Sequence, residues 1–199
     1  MTEAEWLTCT DPGRMLDYLE DSSSDRKLRL FVCAGCRRVW LLLTYDRSTR
    51  GVEVAERYAD GKATARELAR SLSPSLLRDR RLVGPGRDLA YAAARFFVVS
   101  TPDTVGAAQS ALLRCIFGNP FRPVSFNPDW QTPTVRGLAT AAYDERILPS
   151  GTLDPDHLAV LADALEDAGC DNVDLPSHLR GPGPHVRGCW VIDLLLRKE

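Results

Sequence analysis

A rigid loop of glycine and proline leads into a strongly apolar segment in the stretch Arg180-Gly-Pro-Gly-Pro-His185-Val-Arg-Gly-Cys189-Trp190-Val-Ile-Asp-Leu-Leu-Leu196. Its apolar residues recur at helical spacing, which predicts a final helix over residues 185–196. Within that helix His185 and Cys189 are four residues apart and therefore share one face. An imidazole and a thiolate at this spacing supply half of the ligands of a tetrahedral metal site.

A second candidate half-site is Cys33-Ala-Gly-Cys36, which lies inside a helix predicted from Ser24 to Leu43. If the two helices pack face to face, the two pairs together supply three sulfurs and one nitrogen. That donor set suits a structural Zn²⁺ site, which would join the two ends of the chain. Cys170 and His178 precede the Gly/Pro loop and are alternate ligands.

Three other interpretations of these residues stay open on the sequence alone. Free cysteine is among the most buried residue types, so both pairs could be core residues without a metal. Cys33 and Cys36 could also be a redox pair, although reactive pairs of that kind begin a helix and this pair lies within one. Three protein ligands and a water would instead allow a metal-dependent hydrolase.

Helix-start chemistry recurs along the chain and predicts an all-α protein. In Asp11-Pro12, Thr132-Pro133 and Asp154-Pro155, a side chain that caps free backbone N–H groups precedes a proline that needs no N–H partner. Thr2 and Glu5 have the spacing of a capping box. Few alternating β-branched runs separate these starts, so helices are expected throughout.

The expected organisation is a single compact multi-helix domain over residues 1–199, with a possible internal joint at Gly84-Pro85-Gly86. Three prolines recur between residues 118 and 131 and exclude a helix there. Because aromatic residues are interspersed among these prolines, the segment is predicted to be an ordered loop.

The composition is that of an ordinary globular protein, with 44% hydrophobic and 26% charged residues and a net charge of −2. This charge argues against general nucleic-acid binding. No apolar run has the length of a membrane span, and the acidic N-terminus lacks the features of a secretory signal. We therefore expect a cytoplasmic protein without membrane contact, in which cysteines serve as metal ligands or core residues.

The predicted function is a non-enzymatic protein-interaction or regulatory module, because no phosphate loop, nucleophile elbow or dinucleotide fingerprint occurs. The predicted partner is another protein, contacted through Phe121, Arg122 and Trp130 of the proline-rich loop. A nucleic-acid-binding protein is the other alternative. Its phosphate contacts would come from four arginines, namely Arg37, Arg38, Arg78 and Arg81.

Several segments along most of the chain resemble a family of small proteins that is abundant in planctomycete-type bacteria. The resemblance implies a self-contained bacterial protein and brings no assigned activity, ligand or catalytic residue. The segments that carry it are Thr2-Glu-Ala-Glu-Trp-Leu7, Asp25-Arg-Lys-Leu-Arg-Leu-Phe31, Cys36-Arg-Arg38, Ile116-Phe-Gly-Asn-Pro-Phe-Arg-Pro123, Leu161-Ala-Asp-Ala-Leu-Glu-Asp-Ala-Gly-Cys170 and His185-Val-Arg-Gly-Cys-Trp190.

Overall fold

The computed structural model describes residues 1–42, 46–71 and 105–198, and within these ranges the chain forms helices and no β-strand. The predicted all-α class is therefore confirmed. None of the helices in these ranges has the length and apolarity that crossing a bilayer requires. The predicted joint at residues 84–86 lies outside the described residues.

Ten α-helices follow one another in the described ranges. They are α1 (Glu3–Thr8), α2 (Pro12–Leu19), α3 (Asp25–Arg38), α4 (Asp46–Ala59), α5 (Ala65–Ser71), α6 (Gly106–Phe117), α7 (Pro133–Asp144), α8 (Pro155–Asp167), α9 (Asp174–Leu179) and α10 (Trp190–Leu196).

The predicted helix starts are confirmed by the hydrogen bonds of their caps. Thr2 and Glu5 form the expected capping box. The side chains of Asp11, Thr132 and Asp154 accept hydrogen bonds from backbone N–H groups in the first turns of α2, α7 and α8. Each of these caps satisfies donors that the start of a helix leaves without intrahelical partners.

Two predicted helices are wrong in extent. The helix from Ser24 ends at Arg38 and tightens into a 3₁₀ turn at Trp40–Leu42, short of Leu43. The last helix begins at Trp190 and not at residue 185, because Gly188 has a φ of +90° that an α-helix cannot accommodate.

Apolar faces of these helices meet in one cluster of buried residues. Helix α6 packs on α2 and α3, while α7 packs on α8 and α10. Residues 118–131 contain no α-helix and only one 3₁₀ turn, as the prolines predict. The largest buried side chains include Trp6, Phe31, Leu112, Ile116, Tyr143 and Leu158.

Glu56 on α4 and Asp60, the residue directly after α4, are buried among arginines from other elements. Glu56 lies between Arg37, at 2.6 Å, and Arg146, at 3.0 Å. The side chain of Asp60 has no exposed surface and pairs with Arg26 at 3.1 Å. Because an unpaired buried charge is costly, these pairs fix α4 against α3 and the end of α7.

Candidate metal centre

Four metal-ligating side chains from three separate parts of the chain converge at one buried point. We call Cys115, His178, His185 and Cys189 the Cys/His cluster. Their potential ligand atoms all lie within 4.8 Å of one another. Cys115 lies near the C-terminal end of α6, and His178 lies on α9.

The other two members come from the short segment that joins α9 to α10. His185 lies in the Gly/Pro loop, and the next residue, Val186, forms a β-bridge with Thr152. Cys189 is the N-cap of α10, and its N–H donates to the carbonyl of Val186 at 2.9 Å. The turn at Gly188 thus brings the two ligands together although no helix joins them.

One nitrogen of each histidine ring is available as a ligand in the cluster. His178 Nε2 lies 3.2 Å from the Sγ of Cys189. His185 Nε2 lies 3.1 Å from the carbonyl oxygen of Gly181, which fixes the ring with Nε2 as the donor. Its Nδ1 is buried and has no hydrogen-bond partner in the part of the chain that the structure describes. A metal ion would satisfy that lone pair.

The two sulfurs have opposite protonation tendencies. Burial alone would raise the pKa of Cys189, but the hydrogen bond from Cys115 and the neighbouring His178 imidazole outweigh burial and hold that pKa well below its ordinary value. Burial, together with the nearby Cys189 sulfur, raises the pKa of Cys115. A divalent cation would stabilise both thiolates, which is the form that metals bind.

Burial closes the cluster to solvent on most sides. Cys115, His185 and Cys189 are 2%, 7% and 0% exposed. His178 is half-buried, and its ring packs against Trp190 with centroids 5.3 Å apart. Two sulfurs and two imidazole nitrogens make a complete tetrahedral donor set. Such a site leaves no coordination position for a substrate.

The structure brings together only part of the predicted ligand set. His185 and Cys189 belong to the cluster, and so does His178, which was an alternate. Cys33 lies elsewhere, because its side of α3 faces α4, with Sγ 3.9 Å from the carbonyl oxygen of Val52. Its neighbour Cys36 is half-buried on the same helix and belongs to no metal-ligating group among the described residues.

The alternate Cys170 is also outside the cluster, and Cys115 takes the place that sequence spacing assigned to the cysteine pair. Cys170 Sγ lies 3.6 Å from the carbonyl oxygen of Asn172. In the sequence Cys115 has no second ligand three or four residues away, so it reads as one more apolar residue of α6. Only its burial next to Cys189 reveals a ligand.

The three predicted partner-contacting residues lie in different environments. Trp130 is 5% exposed and belongs to the core. Phe121 is half-buried and stacks on Tyr18, with ring centroids 5.0 Å apart. Arg122 is exposed and pairs with Glu3. Of the three, Arg122 is therefore the one with a largely free surface.

The arginines of the nucleic-acid alternative do not form a common surface in the described residues. Arg37 is 5% exposed and clamped by Glu56, with a further hydrogen bond to the Pro149 carbonyl oxygen. Arg38 is exposed. Arg78 and Arg81 lie outside the described residues. The guanidinium of Arg37 is thus unavailable for phosphate contacts.

A groove of about 710 Å³ is lined by residues that neighbour two members of the Cys/His cluster in the sequence. Two of its walls continue from cluster ligands, since Phe117 follows Cys115 by two residues and Trp190 follows Cys189 by one. The loop packs closely on this wall, because a Cβ on Gly118 would lie 3.0 Å from the Trp190 ring. We call this cleft the apolar groove.

The rim of the apolar groove is mostly basic. Two acidic residues also line it, Asp174 and Asp193. Asp193 is already paired with Arg26, at 2.5 Å. The groove is thus lined by both aromatic and basic residues, on a chain whose net charge is −2. Its basic residues are Lys27, Arg122, Arg197 and Lys198.

No protein-family model matches the chain, and no curated protein or solved structure matches it either.

Proposed function

We propose that this protein is a non-enzymatic protein-interaction module in which the Cys/His cluster holds a structural Zn²⁺ ion. The observation that carries the proposal is the convergence of two sulfurs and two imidazole nitrogens within 4.8 Å. Thiolate and imidazole ligands in equal number suit Zn²⁺, which prefers four tetrahedral ligands of these types. The absence of an open position in this donor set favours a structural role over hydrolysis.

Zinc bound by the Cys/His cluster would join helices that contact each other only over a small area. Helix α6, helix α9 and the start of α10 each contribute ligands, and between Cys115 and Cys189 lie more than 70 residues of sequence. Apparent zinc-binding free energies of about 10 to 16 kcal/mol in small peptides are comparable with the whole stability of a domain. The ion would thus hold the groove walls in place.

The interaction surface in this proposal is the apolar groove, and its occupant is an acidic segment of a partner protein that carries apolar side chains. Charge complementarity supports this choice, because Lys27, Arg197 and Lys198 lie along the same rim. Apolar side chains of the segment would bury the exposed parts of Phe126 and Trp190. Electrostatic attraction would speed association and select acidic sequences.

Elemental analysis tests the zinc site most directly. Protein purified without added metal should carry about one zinc ion per chain, as one four-ligand site requires. Cys115→Ser should remove this zinc, while the matched control Cys170→Ser should retain it. Cobalt(II) in the same site should give the strong visible absorption of tetrahedral coordination. Metal-free wild-type protein that takes up neither ion would overturn the zinc proposal.

Peptide binding tests the surface independently of the zinc. The probe is a fluorescent peptide of alternating Glu and Leu, with a Lys/Leu peptide of the same length for comparison. We expect the acidic peptide to bind to the wild type. In Lys27→Glu its affinity should fall about tenfold or more, because the substitution replaces an attractive charge contact with a repulsive one. Arg14→Glu is the matched control, since Arg14 does not line the groove. Equal binding of both peptides would rule out the acidic occupant.

A further inference from the structure

A second, polar cleft lies on the far side of the C-terminal end of α10. Its volume is about 390 Å³, and polar atoms line most of it. Arg197 and Lys198 line both this cleft and the apolar groove. Lys62, from the turn after α4, and Arg136, from the first turns of α7, complete a set of four cations. We call these four residues and the space between them the basic pocket.

The last turn of α10 fixes two of these cations by backbone hydrogen bonds. Arg197 adopts a left-handed conformation with φ of +53°, which ends the helix. The N–H of Lys198 donates to the carbonyl of Asp193 at 2.9 Å. These backbone hydrogen bonds fix the conformation of the chain at the end of the helix. The side chains of Arg197 and Lys198 both line the cleft.

These cations have fewer carboxylate partners than the buried arginines, and Lys62, Arg136 and Arg197 are exposed to solvent. Within the part of the chain that the structure describes, Lys62, Arg136 and Arg197 form no ion pair shorter than 4.0 Å, and Lys198 reaches Asp60 only at 3.9 Å. Asp144, which also lines the pocket, lies 3.8 Å from Arg187. By contrast, Glu56 is clamped by two arginines.

Helix C-terminal ends favour three of the four cations but do not balance their charge, and Arg136 lies instead in the first turn of α7. Lys62 follows the C-terminal end of α4, while Arg197 and Lys198 follow that of α10. The negative end of a helix dipole attracts cations by about 0.3 to 1 kcal/mol each and does not neutralise them. Four like charges around one cleft repel each other. A bound anion would relieve this repulsion.

We propose that the basic pocket binds the dianionic phosphate group of a phosphomonoester. A carboxylate carries one charge, whereas a phosphate monoester carries nearly two at neutral pH and offers three acceptor oxygens. The two arginines can each donate in the forked geometry that matches phosphate oxygens, and the lysines act as point charges. Thr140 and Gln131 also line the pocket, where the Thr140 hydroxyl donates to the carbonyl oxygen of Arg136 and the Gln131 amide donates to that of Leu195. The ligand is either a free phosphomonoester or a phosphorylated side chain of a partner segment, which share this chemistry.

Calorimetric titration at constant ionic strength tests the pocket and distinguishes the two sources. The probes are inorganic phosphate, phosphoserine and a phosphoserine-containing acidic peptide. We expect one saturable site that weakens about tenfold or more in Arg136→Gln and in Lys62→Gln, since a charge-assisted contact is lost. The matched control is Arg66→Gln, which removes an exposed arginine of α5 that does not line the pocket. Equal affinity for phosphate and peptide identifies a free ligand. Tighter binding of the peptide than of both phosphate and the same peptide without its phosphate group identifies a phosphorylated partner.

Three outcomes would overturn the proposal. The first is wild-type protein that shows no saturable heat with any of the probes. The second is an equal loss of binding in Arg66→Gln, which would indicate a net-charge effect. The third is a single-stranded oligonucleotide that binds tighter than every phosphomonoester, which would identify a phosphodiester site. Zinc content should be unchanged in all three variants, so failure here is distinguishable from failure of the metal site.

Discussion

Two pairs of cysteines in this protein show how little sequence spacing reveals about a metal site. Cys33 and Cys36 are three residues apart on one helix, while Cys115 and Cys189 come from opposite ends of the described C-terminal region. Among the described residues no histidine forms a metal-ligating group with the first pair, and burial raises the pKa of both thiols. The second pair meets two imidazoles, and the pKa of Cys189 is lowered.

The difference lies in what each pair faces. Next to the first pair is α4, whose Glu56 is a carboxylate and adds to the rise in the pKa of Cys33. Here Arg37 and Arg146 already balance the negative charge. The second pair faces imidazole nitrogens, one of which has no hydrogen-bond partner among the described residues. A metal ion therefore fits the surroundings of Cys115 and Cys189, whereas the carboxylate beside Cys33 is already neutralised by arginines.

The largest expected effect is the loss of stability caused by one substitution in the Cys/His cluster. Cys189→Ser removes a buried ligand and should abolish stoichiometric zinc binding. With free zinc at 1,000 times the dissociation constant, losing the ion costs about 4 kcal/mol of unfolding free energy. Chemical denaturation with and without a chelator measures this cost. Chelator should destabilise the wild type and leave Cys189→Ser unchanged; equal sensitivity of the two proteins contradicts the prediction.

The next effect concerns the ion pairs beside Cys33. Glu56→Gln leaves Arg37 and Arg146 without their shared carboxylate, and breaking a buried pair costs about 3 kcal/mol. Denaturation should show this loss while elemental analysis shows unchanged zinc. A variant that loses zinc together with stability would show that the two regions are coupled.

The same variant gives the pH dependence of this region. Burial would raise the pKa of Glu56, but hydrogen bonds from Arg37 and Arg146 outweigh it and lower that pKa from its ordinary value of 4.5. As the pH falls, Glu56 is therefore protonated in the unfolded chain before it is protonated in the folded protein. Its contribution to the unfolding free energy is complete above about pH 4.5 and is lost as the pH falls through the lowered pKa of the folded state. In metal-free protein, the stability difference between wild type and Glu56→Gln should shrink between pH 5 and the acid limit of folding. A constant difference would contradict this assignment.

The smallest effect should come from Cys36→Ser. This side chain is half-buried and lies outside the Cys/His cluster, so zinc content should be unchanged. The unfolding free energy should change by less than about 1 kcal/mol, as for substitutions away from cores and networks. Denaturation beside Cys189→Ser measures the contrast. Loss of zinc in Cys36→Ser would restore the ligand set that the sequence predicts.

Much of the secondary structure could be predicted because it depends on neighbouring residues. The caps at Asp11, Thr132 and Asp154 act over two or three residues, so their effect is visible in sequence. The prolines of residues 118–131 exclude a helix by their own ring and missing N–H. The extent of the last helix was missed, since Gly188 adopts its positive φ beside Leu30 of α3, a contact that sequence does not display.

The sequence by itself determined the all-α class, the capped starts of α1, α2, α7 and α8, and two of the cluster residues, His185 and Cys189. These follow from local sterics, local hydrogen bonds and residue type. Only the tertiary structure decided which other ligands join them, because Cys115 and His178 reach the site through the packing of α6 and α9. Packing depends on many weak contacts between residues that are distant in the sequence. It places the sulfur of Cys115 beside Cys189, which no rule of sequence spacing could predict.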